Sequence, residues 1–131
     1  RSKRRFPDMV AMGSLVFCLH YPGKKYDFRN EMKLIAVPPY PIPFRCLYSR
    51  NIENLMMADR DVSATHVAFS SVKLMKTGGQ LGIATGAAAF LCKKHNTTPR
   101  GVYQHHITEL QDIVFERGSY KESLKPSRSR E

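Results

Sequence analysis

The order of apolar and polar positions divides the chain into short extended segments followed by helices. An apolar run over residues 9–20, interrupted by Gly13 and Ser14, is typical of a bent strand or a buried strand pair. Residues 33–37 suit another short strand. The first part of the chain therefore predicts strands, and the second part predicts helices.

The clearest helical signal lies between Thr77 and Asn96. Apolar residues recur there at helical spacing, at Leu81, Ala84, Ala88 and Leu91. Thr77 and Gln80 match a capping box in which Thr77 is the N-cap, and Asn96 is suited to close the helix. The pattern predicts a helix over about residues 78–94.

Glycines in this predicted helix need a physical explanation. Gly82 and Gly86 each cost about 1 kcal/mol relative to alanine inside a helix, so close approach of a backbone or a ligand is expected there. At the predicted start, Gly78 and Gly79 leave amides unshielded, which is typical of an anion-binding helix end. Tight helix packing explains the same glycines about as well, so both interpretations stay open.

A second helix is predicted over about residues 99–116, because Thr98 can cap it and Pro99 suits its first turn. His105 and His106 are adjacent, so their side chains point about 100° apart on a helix and make a poor pair of ligands. Beyond this helix the chain is polar, and we expect a basic disordered tail over residues 118–131.

A proline-rich segment precedes the helices. Four prolines within residues 38–43 exclude a helix and a central strand, so the segment must be extended. A polyproline ligand for a recognition domain is one interpretation. A rigid internal connector that packs Tyr40, Ile42 and Phe44 at alternate positions is the favoured one.

A short apolar run, residues 55–58, suits a buried strand and is followed at once by Asp59, Arg60 and Asp61. Strand ends commonly deliver polar groups to a site. A charged loop explains the same residues about as well. The sequence alone leaves both interpretations open.

Composition excludes several classes of protein. The chain has 131 residues, enough for one domain or part of one, and its 42% hydrophobic and 24% charged residues are typical of a globular protein. Every apolar run is much shorter than a membrane-spanning helix, which needs about 18 residues. No membrane partner is therefore expected. The net charge of +10 lies mostly at the ends, in the basic residues 1–5 and in residues 117–131. We expect residues 1–5 to be a flexible end, which makes a nucleic-acid partner the less favoured interpretation.

The three cysteines, Cys18, Cys46 and Cys92, cannot all pair within the chain, and none belongs to a C-x-x-C motif. A disulfide framework and a cysteine zinc site are therefore not predicted. No metal is expected. Neither a hydrolase elbow, a Walker loop, H-E-x-x-H nor G-x-G-x-x-G occurs, and the closeness of Ser63 to His66 does not by itself imply a nucleophile–base pair.

Several motifs occur in an informative order. They are Tyr40-Pro41-Ile42-Pro43, Ala58-Asp59-Arg60-Asp61, Ser63-Ala64-Thr65-His66 and Met75-Lys76-Thr77-Gly78-Gly79, which leads into the helix with Gly82 and Gly86. This order resembles the carboxyl-terminal part of a family of FAD-dependent oxidoreductases with the glutathione-reductase-like FAD fold. The resemblance covers about residues 6–117 and is firmest over 40–95.

The resemblance implies an α/β fold, here a partial FAD-binding domain with short strands and two C-terminal helices, about 78–94 and 99–116. FAD is the implied cofactor, and hydride or electron transfer with an unidentified small-molecule substrate is the implied activity. The implied partner is an N-terminal FAD-binding half that carries the Gly-rich turn. Without that half the piece would expose apolar surface, so an oligomer is a further expectation.

The resemblance also implies which residues lie near the flavin. Residues 59–66 would run beside the flavin and its ribityl chain, and the helix that starts near residue 78 would point its amides at the flavin N1–C2=O edge. Such a helix end stabilises the anion of reduced flavin and raises its reduction potential. The flavin-side candidates are Arg60, Asp61, Ser63, Gly78, Gly79 and Gln80. His66 and His20 are the candidates for proton transfer or substrate orientation.

The chain departs from the family pattern at three positions that bear on this site. Asp59 stands where the family has glycine, Lys73 where it has arginine, and Cys18 where it often has aspartate. Two other interpretations stay open. One is a truncated, non-catalytic structural or interaction module, and the other, less favoured, is a basic nucleic-acid-binding protein.

Overall fold

Short strands precede helices along the chain, as a computed structural model shows for residues 6–20 and 32–117. The strands are β1 (Met9–Gly13), β2 (Phe17–His20), β3 (Met32–Ile35) and β4 (Tyr40–Pro43). The α-helices are α1 (His66–Val72), α2 (Met75–Lys94), α3 (Pro99–His105) and α4 (Ile107–Arg117). Two 3-10 turns, Phe44–Cys46 and Asp59–Asp61, lie between β4 and α1. The expected α/β class is confirmed, and the expected flexible ends lie outside the residues described.

The strands form two antiparallel pairs, β1 with β4 and β2 with β3. In the first pair Gly13 lies opposite Tyr40 and Ala11 opposite Ile42. A Cβ atom at Gly13 would overlap the ring of Tyr40, so this glycine lets the tyrosine cross the strand. The proline-rich segment is thus a strand of a two-stranded sheet, where proline is tolerated because β4 pairs on one side only in the described part of the chain.

The core lies between the β1–β4 sheet and the three helices that follow residue 74. The face predicted for α2 is confirmed, since its four apolar residues are fully buried: Leu81, Ala84, Ala88 and Leu91. They pack with β1, α3 and α4. Ile42 and Phe44 are buried from the proline-rich side, and Tyr40 is half-buried, as the alternation predicted.

The predicted start of α2 is wrong by three residues. The helix begins at Met75, its N-cap is Leu74 without a side-chain cap, and Thr77 is buried inside it. The turn that joins α1 to α2 sets this start, because the amide of Leu74 donates to the carbonyl of Val72 at 2.8 Å. The helix has already begun at Met75, so Thr77 lies inside it and cannot serve as its N-cap. The end of α2 is as predicted: Asn96 has φ 47°, and the amide of Thr97 donates to the carbonyl of Cys92, which is a Schellman closure.

The predicted second helix is two helices joined at His106. This residue has φ −130° and ψ 20°, so it ends α3, while its carbonyl accepts from the amide of Leu110 at the start of α4. The predicted cap of α3 is confirmed, because the hydroxyl of Thr98 accepts from the amide of Gly101. The chain bends at a single residue, which a periodicity pattern does not resolve.

The predicted strand over residues 55–58 is not formed. This segment makes one isolated bridge, between Met56 and Tyr48, and Leu55 is exposed. Its backbone hydrogen bonds join it to the residues just before the turn. The amide of Met57 donates to the carbonyl of Leu47, and the amide of Ser49 donates to the carbonyl of Leu55. The run therefore folds back as a short hairpin-like arm, without a neighbouring strand in the described residues. Helix α1 had no counterpart among the predicted elements.

Candidate functional site

The charged turn Asp59–Asp61 packs against the beginning of α2. Asp59 adopts φ 54°, a left-handed conformation that favours glycine. Its carboxylate lies over Gly78, so that a Cβ atom at position 78 would overlap its Oδ1 atom. The segment that follows the short arm and the start of the small-residue helix are thus brought together.

The exposed polar residues after this turn lie on one continuous segment that leads into α1. Arg60, Asp61 and Ser63 are exposed, whereas Val62 between them is buried and anchors the segment to the core. The amide of Ser63 donates to the carbonyl of Cys46 at 3.0 Å. The backbone of this segment is therefore fixed while its polar side chains face outward.

Both candidate histidines are placed on elements that pack together. His66 is the exposed first residue of α1, which begins there because the hydroxyl of Thr65 accepts from the amide of Ala68 at 3.3 Å. His20 is the last residue of β2, and β2 packs against α1. Lys73, at the far end of α1, donates to the carbonyl of Cys18 at 3.4 Å. β2 therefore packs against α1 and is joined by a hydrogen bond to the residue at the far end of this helix.

The free amides at the start of α2 belong to other residues than the sequence indicated. The amide of Gly78 donates to the carbonyl of Leu74 at 2.8 Å, so the amides without a helical partner are those of residues 75–77. Gln80 has a structural contact that the sequence did not reveal, because its side-chain oxygen accepts from the amide of Met12 at 2.9 Å. Gly79 is exposed, and a Cβ atom there would meet no described atom within 4 Å.

A second face of α2 is apolar and uncovered by the described residues. Met75 is 91% exposed, Ile83 52% and Phe90 60%. Positions 79, 82 and 86 lie on the same side of the helix and are glycines, where an added Cβ would meet nothing within 4 Å. The close approach expected at Gly82 and Gly86 is therefore not made within the part of the chain described. We call this surface the open face of α2.

A cluster of imidazoles and a carboxylate lies where α2 ends and α4 begins. His95 Nε2 is 2.8 Å from Glu109 Oε2, and His106 Nδ1 is 3.9 Å from the same oxygen. Lys94 Nζ donates to the other oxygen, Oε1, at 2.7 Å. The hydrogen bonds from Lys94 and His95 lower the pKa of Glu109, so its carboxylate is ionised at neutral pH. Sequence reasoning missed this cluster because its residues meet only when the helices pack.

A polar depression of about 400 Å³ lies elsewhere, where the turn after Tyr48 faces the start of α3. Its lining residues are Tyr48, Ser49, Arg50, Asn51, Glu53, Thr98 and Arg100. Arg100 is already engaged there, because it donates to the carbonyl of Arg50 at 2.7 Å. None of the flavin-side candidates lines this depression.

Comparison with known families identifies the class of protein. Residues 1–114 match the sequence model of the family described as FAD dependent oxidoreductase. Because the match covers most of the 131 residues, the chain belongs to this family. Searches of curated proteins and of solved structures gave no match to the chain. FAD is the cofactor that the family implies, and no helix among residues 6–20 and 32–117 is long and apolar enough to cross a membrane.

Proposed function

We propose that this chain is the carboxyl-terminal portion of an FAD-dependent oxidoreductase with the glutathione-reductase-like fold. In this proposal it contributes the flavin-side part of the FAD site for hydride or electron transfer. The observation that carries the proposal is the meeting of the Asp59–Asp61 turn with the start of α2 in a chain of this family. The two segments are those that the motif order assigns to the flavin.

The residues present fit one end of FAD. The first turn of α2 offers the free amides of residues 75–77, and Gly79 leaves an open surface one turn later. Arg60, Asp61 and Ser63 are exposed on the neighbouring segment, where they suit hydrogen bonds to the ribityl hydroxyls and the flavin edge. No Gly-rich dinucleotide turn occurs in the sequence, so the ADP end of FAD would be held by another part.

FAD, when bound, supplies the hydride or electron chemistry. The protein's part is to hold the ring and to set its environment. The positive end of the α2 dipole favours negative charge at the ring edge, which raises the reduction potential. Gly79 allows close approach of the ring, while the side chain of Gln80 holds α2 against β1 through Met12. In this proposal His66 and His20 orient substrate or transfer a proton.

The open face of α2 supports an N-terminal FAD-binding half as the partner. A helix that is apolar on two opposite faces is typical of a helix packed on both sides. One face of α2 is buried in this chain, and the other presents three glycines beside Ile83 and Phe90. Glycines permit a strand or a second helix to approach closely. We infer that the missing half covers this face, and that without it a second copy of the chain does so.

Asp59 favours a second candidate, a non-catalytic structural or interaction module. Its carboxylate covers Gly78 and brings negative charge to the place where reduced flavin would carry its own. Like charges at short range repel each other. A member of the family that had lost cofactor binding would tolerate an acidic side chain at this position.

Visible absorbance separates the two candidates. The purified 131-residue chain is incubated with FAD, passed through gel filtration, and its spectrum is recorded. Flavin bands that elute with the protein are expected if the chain holds the flavin. A colourless protein, together with no quenching of FAD fluorescence at high protein concentration, would favour the non-catalytic module.

A further inference from the structure

The cluster of His95, His106 and Glu109 has the composition of a metal site. His95 is the C-cap of α2, His106 joins α3 to α4, and Glu109 lies in the first turn of α4. One ligand atom from each residue lies within 4.8 Å of the other two, and all three residues are partly exposed. Three separate backbone positions therefore present two imidazoles and a carboxylate oxygen to one point that solvent ions can reach.

The spacing of these atoms is close to that of a zinc coordination sphere. Bonds of about 2.0–2.1 Å in tetrahedral geometry place ligand atoms about 3.3 Å apart. The two distances to Glu109 Oε2, 2.8 Å from His95 and 3.9 Å from His106, lie on either side of that value. Binding of one ion requires side-chain rotations that equalise these two distances.

We propose that this cluster binds a divalent transition-metal ion of the Zn²⁺ type. The ligand atoms are His95 Nε2, His106 Nδ1 and Glu109 Oε2, with water at the fourth position. Two imidazoles and one carboxylate are a usual ligand set for such ions. The ion takes the place of the hydrogen in the contact between His95 Nε2 and Glu109 Oε2, because each ligand atom must offer it a lone pair.

The stacking of the two imidazoles gives the proposal a spectroscopic signature. The rings of His95 and His106 lie 3.9 Å apart with an angle of 7° between their planes. An ion bound through in-plane lone pairs cannot lie in both planes while the rings stay parallel. Metal binding must therefore tilt the rings out of the stack, which changes their proton chemical shifts.

Lys94 orients the carboxylate without occupying the ligand atom. It holds Oε1 of Glu109 at 2.7 Å, so that Oε2 is left facing the imidazoles. Groups that hold a ligand in this way typically tune metal affinity. The bound ion would tie the end of α2 to the start of α4, and we expect zinc to raise the melting temperature of the chain.

Calorimetric titration of the full 131-residue chain with ZnCl₂, after treatment with a chelator, tests the site. We expect one ion per chain and a higher melting temperature. His106→Ala and Glu109→Gln should each weaken binding by about tenfold or more, since loss of even an outer partner costs 10–100-fold. Glu109→Gln keeps the shape of the side chain. If His106→Ala does not fold, the zinc affinity of Glu109→Gln alone tests the proposal.

One variant serves as a matched control. His105→Ala removes the neighbouring exposed imidazole and leaves all three ligands in place. Zinc binding should survive in this variant. Equal zinc affinity in wild type, His106→Ala and Glu109→Gln would overturn the proposal, as would no binding at millimolar zinc. A thiolate charge-transfer band with Co²⁺ would also overturn it, because it would assign the ion to a cysteine site.

Discussion

The carboxylate of Asp59 lies directly over the backbone of Gly78 in the second turn of α2. Asp59 holds this position with φ 54°, where a residue other than glycine carries a conformational cost. The resemblance to the flavoprotein family assigns a glycine to this position. The backbone conformation at position 59 is one that suits glycine, while a charged side chain fills the space that a small residue would leave open.

Replacing Asp59 tests whether this side chain obstructs flavin. Asp59→Gly removes both bulk and charge, and we expect FAD affinity to rise by about tenfold or more, which corresponds to 1.4 kcal/mol. Folding stability should change by less than about 1 kcal/mol, because relief of the left-handed strain is offset by the flexibility of glycine. FAD fluorescence quenching measures the affinity, and urea unfolding measures the stability.

The control for charge alone is Asp59→Asn, which keeps the shape and tolerates the left-handed conformation. An intermediate gain in FAD affinity is expected for this variant. Asp61→Asn removes a charge from the same turn but not the contact with Gly78. If neither substitution at position 59 changes FAD binding, Asp59 does not obstruct the site.

Glycines on the open face of α2 give opposite predictions for the isolated chain and for its assembly. Gly82→Ala and Gly86→Ala should each stabilise the chain by about 1 kcal/mol, because alanine is the better helix former and its Cβ meets nothing. The same variants should weaken self-association or binding of an N-terminal half, since the surface loses its close approach. Thermal unfolding and light scattering are the measurements.

Gly101 is the matched control, because it is a helical glycine whose Cβ would overlap Oγ1 of Thr97. Gly101→Ala should give no stabilisation. Destabilisation of the isolated chain by Gly82→Ala and Gly86→Ala would mean that this face packs against residues of the same chain.

Some of this structure follows from local pattern, and some does not. The buried face of α2 was predictable because the spacing of apolar residues along the sequence indicates which side of a helix is buried. The start of α2 was not predictable, because the turn that follows α1 sets it. Thr77 consequently lies inside the helix and does not cap it. His106 ends a helix through one residue's backbone angles, which the apolar pattern of residues 99–116 does not encode.

The flavin-side residues and the His95–Glu109 cluster also differ in how far the sequence predicts them. The motif order assigns both residues 59–66 and the start of α2 to the flavin, but the direct contact of Asp59 with Gly78 did not follow from it. The approach of His95 to Glu109 was not predictable, because the two residues are 14 positions apart and lie on helices that pack together. The left-handed conformation of Asp59 is likewise a property of the folded chain that residue type alone does not specify.

The linked hydroxyls of half-buried Tyr40 and buried Ser71 make the stability of the chain depend on alkaline pH. Tyr40 donates to Ser71 at 2.8 Å, and Ser71 donates to the carbonyl of Leu15 at 2.6 Å. Burial raises the pKa of Tyr40 above its ordinary value of 10.0, despite the opposing hydrogen bond with Ser71. The folded state therefore holds this proton more tightly than the unfolded state, and stability is lost as pH rises through and beyond about 10.

Tyr40→Phe should lower stability at neutral pH by about 1 kcal/mol, the typical worth of one hydrogen bond. It should also flatten the loss of stability at alkaline pH, which urea unfolding between pH 8 and about 11 would measure. Burial raises the pKa of Tyr48 as well, so part of the decline should persist. An unchanged alkaline slope in Tyr40→Phe would contradict this role.

The ion pair between Asp8 and Arg45 fastens the start of β1 to the turn after β4. Asp8 is buried and accepts from Arg45 Nη2 at 2.8 Å, whereas the arginine is half exposed. Arg45→Ala should destabilise the chain by about 2 kcal/mol, because it leaves a buried carboxylate with one weaker backbone bond. Arg45→Lys should cost less. Equal stability of Arg45→Ala and wild type in urea unfolding would show that the pair contributes nothing.

The measurement that tests the central claim most directly is amide chemical-shift mapping of the ¹⁵N-labelled chain with the two ends of FAD. Titrations with FAD, riboflavin and ADP are recorded in parallel. If the chain supplies the flavin-side part of the site, FAD and riboflavin should shift the amides of residues 59–66 and 75–80, and ADP should not. Shifts with ADP alone, shifts confined to other residues, or no shifts at saturating riboflavin would contradict the account.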